Sequence, residues 1–166
     1  MFRAAPRAAG LALLLILTAC GGSEDEQAAD AVAESLMDEE EASLELTQEE
    51  ADCVGAGFVD QLGADKLTEY GIVTEDLSAS DEPVDVKMSD GDAAAAAGVM
   101  VGCADAARLM KDAVRAGAQV DPAAEACLDE TVTEDSVEEF LTAVFSGAGP
   151  ERIEPLLGPM EECLAR

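Results

Sequence analysis

The 166-residue chain has no histidine and no tryptophan, and its aromatic side chains are limited to one Tyr and four Phe. Without imidazole there is no Ser-His-Asp triad, no His general acid or base and no imidazole metal ligand, so the commonest catalytic devices at neutral pH are missing. With so few aromatic platforms, a glycosidase built on two carboxyls across a sugar cleft has little to work with. Positive charge is scarce as well: 9 Lys plus Arg stand against 37 Asp plus Glu, for a formal charge of −28 and an isoelectric point near 4.1. Nucleic acid and anionic lipid surfaces are held by clustered cations, so there is no electrostatic basis for binding either, and nucleic acid is excluded as a partner. No G-x-S-x-G, P-loop or H-E-x-x-H motif occurs. Ser78, Ser80 and Ser136 have no His to activate them, and Lys66, Lys87 and Lys111 are too scattered to suggest a Ser/Lys pair. The expectation is a non-enzyme with no cofactor and no metal site.

The N-terminus carries an address. Arg3 and Arg7 give a positive start, and residues 8–17 form an apolar run interrupted by Gly10. The run is shorter than the roughly 20 residues a permanent membrane helix needs, so a secretory signal fits it better. It ends in Leu17-Thr18-Ala19-Cys20 followed by Gly21-Gly22-Ser23, which resembles the lipobox of bacterial lipoproteins. That resemblance covers residues 1–23. It implies removal of residues 1–19, a diacylglyceryl group on Cys20, acylation of the new N-terminus, and a protein anchored by lipid to the extracytoplasmic face of the cell membrane. Two acyl chains suffice for stable anchoring where one binds only marginally. The alternative is an ordinary cleaved signal with Cys20 as a bystander. Cleavage would also remove both N-terminal arginines, leaving 7 basic against 37 acidic residues and a charge of −30.

Residues 20–46 are rich in Gly, Ala and acids with few large apolar groups, and read as the lipidated cysteine plus an acidic flexible tether. Within it, Val32, Leu36 and Met37 have helical spacing, enough for a transient helix. Residues 47–166 read as an all-α domain of about five helices. Thr47-Gln48-Glu49-Glu50 is a capping box, and Ala51, Val54, Phe58 and Leu62 follow on one stripe, with Gly63 as the stop. A short helix from Asp65 through Leu67 and Tyr70 closes at Gly71. Residues 73–91 are the least regular stretch, with Val84, Val86 and Met88 alternating as a short extended piece, and read as a surface excursion. One helix is expected from Gly91 to Ala116, another from the Asp121-Pro122 cap, and a strongly amphipathic one after Thr133 through Val137, Phe140, Leu141, Val144 and Phe145. Pro150, Pro155 and Pro159 are expected to break the C-terminus into short turns.

With Cys20 assigned to lipid, Cys53, Cys103, Cys127 and Cys163 remain. An even number in an exported chain points to structural disulfides, and no C-x-x-C pair supports a redox or zinc role. Three connectivities are open. An internal echo favours one: the Cys53 helix, an acidic helix and the Cys103 helix are answered by the Cys127 helix, an acidic helix and the Cys163 helix. Two degenerate repeats would pair Cys53 with Cys103 and Cys127 with Cys163. As a whole the domain resembles the small acidic four-cysteine helical lipoproteins of high-G+C bacteria, a resemblance that implies no activity.

Carboxylates invite a hard cation, with Asp81, Glu82, Asp85, Asp90 and Asp92 in one cluster and Asp38, Glu39, Glu40 and Glu41 in another. Neither has the EF-hand order, so diffuse counter-ion association is the expectation. The functional expectation is a membrane-anchored, non-catalytic interaction module, with the membrane reached through lipid and a basic protein as partner. Alternatives are a structural envelope spacer or a weak divalent-cation-binding surface protein.

Overall fold

The computed structural model describes residues 23–37, 46–80 and 86–165. Their order is α1 (Ser23–Met37), α2 (Gln48–Leu62), α3 (Ala64–Glu69), α4 (Asp90–Cys103), α5 (Ala106–Gly117), α6 (Pro122–Thr131), α7 (Glu134–Phe145) and α8 (Pro150–Leu164). Among the described residues there are thus eight helices, seven of them within residues 47–166 where about five were expected, with a lone bridge between Val73 and Ala79 and no strand.

Local chemistry accounts for most helix ends. Thr47 caps α2, its hydroxyl accepting from the Glu50 amide at 3.3 Å while the Glu50 carboxylate accepts from the Thr47 amide at 2.8 Å. Asp121 accepts from the amides of Ala123 and Ala124 ahead of α6, and Thr133 accepts from the Ser136 amide ahead of α7. Chain reversals after α2, α3 and α7 are made at Gly63, Gly71 and Gly147, all at positive φ.

Helices α1, α2, α4 and α7 run alternately up and down. Gly55 in α2 lies against Ala29 and Ala33 of α1, Gly57 faces Val99 of α4, and Gly98 of α4 faces Glu138 of α7. The Met88 amide, just before α4, donates to the Phe145 carbonyl at the end of α7. One end of the array, here the lower end, therefore gathers the start of α1, the end of α2, α3, the 71–80 turn and the start of α4. The upper end gathers the end of α1, Leu46, the start of α2 and the α4–α5 corner, where Leu46, Ala104 and Leu109 pack with Leu36 and Met37.

Two larger cores lie between. The first holds Val32, Val54, Phe58, Leu67, Val73 and Met100; the second holds Leu128, Val132, Val137, Met160 and Cys163; Leu141 of α7 packs against both. Phe58 and Phe145 meet edge to face with centroids 6.3 Å apart. Each core has its own staple: a disulfide joins Cys53 to Cys103 across α2 and α4, and another joins Cys127 to Cys163 across α6 and α8, both with Cα atoms 5.5 Å apart.

Three expectations need correction. Residues 23–37 are not a solvated tether but a helix packed along α2, so the folded domain includes Ser23–Met37 and does not begin at Thr47. Ala28, Ala31, Val32 and Ala33 are buried there. A Cβ on Gly55 would collide with the Ala29 carbonyl oxygen, so the two backbones touch where side chains are smallest. Close backbone approach supplies the dispersion contacts that larger side chains would otherwise provide. Second, the single helix expected from Gly91 to Ala116 is two helices meeting at 84°. Ala104 is extended, and Asp105 caps α5 by accepting from the Arg108 amide at 2.8 Å. The corner carries Ala106 and Ala107 into the second core. Third, residues 150–164 form one helix despite Pro155 and Pro159. Each ring forfeits the bond to the carbonyl four residues earlier, at positions 151 and 155. Glu151, Pro155 and Pro159 share the exposed face of α8, so water reaches the freed carbonyls while Met160 and Cys163 stay buried.

The 73–91 stretch is only in part a loose excursion. Val73 is buried, and Thr74 takes the Ser78 carbonyl through its amide at 3.0 Å. Residues 81–85, including Val84, lie outside the described residues. No single helix among the described residues is long and apolar enough to cross a membrane.

Candidate functional site

Few cations serve many anions, and four of those cations are committed to holding helices together. At the lower end Lys66 of α3 donates to Asp92 of α4 at 2.7 Å, the Tyr70 hydroxyl donates to the other Asp92 oxygen at 2.7 Å, and the Ser89 hydroxyl donates to that same oxygen at 2.9 Å. At the upper end Arg108 of α5 reaches Glu50 of α2 at 3.4 Å and Asp112 at 3.3 Å, and Arg115 joins Asp112 at 2.7 Å to Glu125 of α6 at 3.0 Å. Lys111 meets Asp129 of α6 at 3.1 Å. Exposed pairs of this kind stabilise little one at a time. Their effect here is positional, fixing α5 between α2 and α6 in a chain that otherwise repels itself.

The Lys66 ammonium, helped by the Tyr70 and Ser89 hydroxyls, holds the Asp92 carboxyl down at about 2. A carboxyl whose pKa is depressed by folding stabilises fully above its unfolded pKa of about 3.9 and loses that contribution as pH falls through the folded value. We expect the stability gap between the wild type and Asp92→Asn to be constant above about pH 4 and to shrink from there towards pH 2. Urea midpoints across that range measure it; a gap independent of pH would refute the assignment.

This arrangement also bears on the cation cluster. Asp92 is taken by Lys66, Tyr70 and Ser89, while Asp81, Glu82, Asp85 and the run Asp38 to Glu41 lie outside the described residues, as does Cys20. Among the described residues no group of three or more Cys, Asp or Glu side chains is placed to hold a metal ion.

An open groove of about 510 Å³ lies between α7 and α8. Asp135, Glu138 and Glu139 form its acidic wall, Ala143 and Leu156 contribute apolar surface, and Arg152 projects from α8. Sequence reasoning missed this groove, because the carboxylates of α7 gain an opposing wall only when Pro155 is accommodated inside α8. It also passed over Arg108, although its spacing to Asp112 is the i, i+4 pairing rule and was there to be read. Of the expected site residues, Cys53 and Cys103 are brought together at the first core and Cys127 and Cys163 at the second. No family model, curated protein or solved structure matches the chain.

Proposed function

We propose that the chain is a lipoprotein anchored through Cys20 to the extracytoplasmic face of the cell membrane, and that its helical domain is a non-catalytic module that docks a basic segment of a partner protein in the α7/α8 groove. The observation that carries the docking reading is the groove itself: a three-carboxylate wall beside apolar surface suits a segment with cations along one edge and aliphatic side chains along the other. Export is supported by the two disulfides, which persist in oxidising compartments and take up the four cysteines other than Cys20.

The test is a titration of the mature protein with an amphipathic Lys/Leu peptide, followed by residue-resolved NMR. Shifts are expected to concentrate on α7 and α8 around Glu138, Glu139 and Leu156. The pair Glu138→Lys and Glu139→Lys should weaken binding by about tenfold or more, and added salt should weaken the wild type. Shifts spread evenly over every acidic helix would reduce the interaction to bulk charge and reject the groove.

A further inference from the structure

The start of α1 has a geometric consequence for an anchored protein. Ser23 is the first residue of a helix packed into the domain, and only Gly21 and Gly22 separate it from Cys20. Three Cα-to-Cα steps of 3.8 Å reach about 11 Å at full extension. From that observation we propose that the lower end of the domain is held against the lipid headgroups and that the upper end points away from the membrane. This rests on the lipid anchor at Cys20.

Which residues this apposes follows from the antiparallel packing. Glu24 of α1 shares a shallow concavity with Asp65 and Thr68 of α3 and with Glu75 and Leu77 of the following turn, so these are the membrane-facing groups. The 15 residues of α1 rise about 22 Å, which carries Leu36, Leu46 and the α5 corner to the far side. Glu26, Asp30 and Glu34 line the exposed face of α1 and Glu24, Asp65 and Glu75 the lower end, so an anionic surface repels flank and end alike and charge does not choose between them. Arg108, Lys111 and Arg115 of α5 are paired with Glu50, Asp112, Asp129 and Glu125 and offer such a surface no net attraction. Turning the upper end down would lift Ser23 beyond the reach of the two-glycine connection, so covalent reach and not electrostatics sets the orientation. Partners then meet the upper end and the helix flanks, and the α3 end is screened by lipid.

The chain has no tryptophan, so one introduced indole reports its own depth. Lipidated Asp65→Trp and Gln48→Trp proteins, substituted at exposed positions on the lower and upper ends, are reconstituted into phosphatidylcholine/phosphatidylglycerol vesicles carrying a headgroup quencher. Asp65→Trp fluorescence should fall several-fold and Gln48→Trp fluorescence should hold. A long Gly/Ser insertion between Gly22 and Ser23 should abolish the difference. Equal quenching at both positions, or quenching that survives the insertion, overturns the proposed orientation while flotation with the vesicles keeps the anchor. Intact mass showing an unmodified Cys20, with no flotation, overturns the anchor and the orientation with it.

Discussion

Replacing all four bridge cysteines with serine is expected to leave the domain unfolded at physiological temperature. The bridges close segments of 50 and 36 residues. In the chain-entropy model each such loop adds about 4 kcal/mol by restricting the unfolded chain. A domain of this size has only about 5–15 kcal/mol in total. Packing gives little reserve: much of the first core is alanine, and the aromatic contribution is essentially one Phe58–Phe145 contact. Removing one bridge is expected to lower the melting temperature by roughly 15 °C while leaving a cooperative transition. Cys127→Ser with Cys163→Ser should loosen α6 and α8 first, because that bridge belongs to the second core. Circular dichroism melts of the three variants measure this. A four-serine protein melting cooperatively near the wild-type temperature would show that packing alone specifies the fold.

The second large effect is expected at Gly55. A side chain there must enter the Ala29 backbone and not a yielding side chain, so α1 and α2 have to separate. Gly55→Leu is expected to cost about 3 kcal/mol or more, the upper range for overpacking, and to release α1 as a unit. Amide exchange should show Ala28, Ala31 and Val32 losing protection while α6 to α8 keep theirs. Gly102→Ala is the control, since a Cβ there meets nothing within 4 Å, and helix propensity favours the change. If Gly55→Leu kept both its melting temperature and the protection of α1, the close-contact account of that helix would fail. Released, α1 would become a spacer long enough to free the domain from the membrane, which links this variant to the orientation proposed above.

These two sites also mark where sequence reasoning succeeds and where it stops. Caps at Thr47, Asp121 and Thr133 and reversals at Gly63, Gly71 and Gly147 depend on groups within four or five residues, so spacing reveals them. The amphipathic stripes of α2 and α7 are legible for the same reason, although Val144, expected on the apolar stripe, is among the exposed large side chains. Residues 23–37 look solvated when judged by their own side chains, because the partner that makes them a helix is a glycine 26 positions away from Ala29. The Asp105 corner and the continuous α8 are decided likewise by what lies opposite them: Ala106 and Ala107 turn into the second core, and the prolines of α8 are harmless because their face meets water.

Sequence by itself determined the helical class, the acidity, the helix ends at Thr47, Asp121, Thr133, Gly63, Gly71 and Gly147, and the expectation of bridges, since each depends on composition or on neighbours along the chain. Tertiary structure alone decided that α1 belongs to the domain, that α7 and α8 enclose a groove, and that the few cations are spent between helices. Those outcomes depend on backbones meeting at small residues and on charges brought together from distant positions, and no local spacing encodes either.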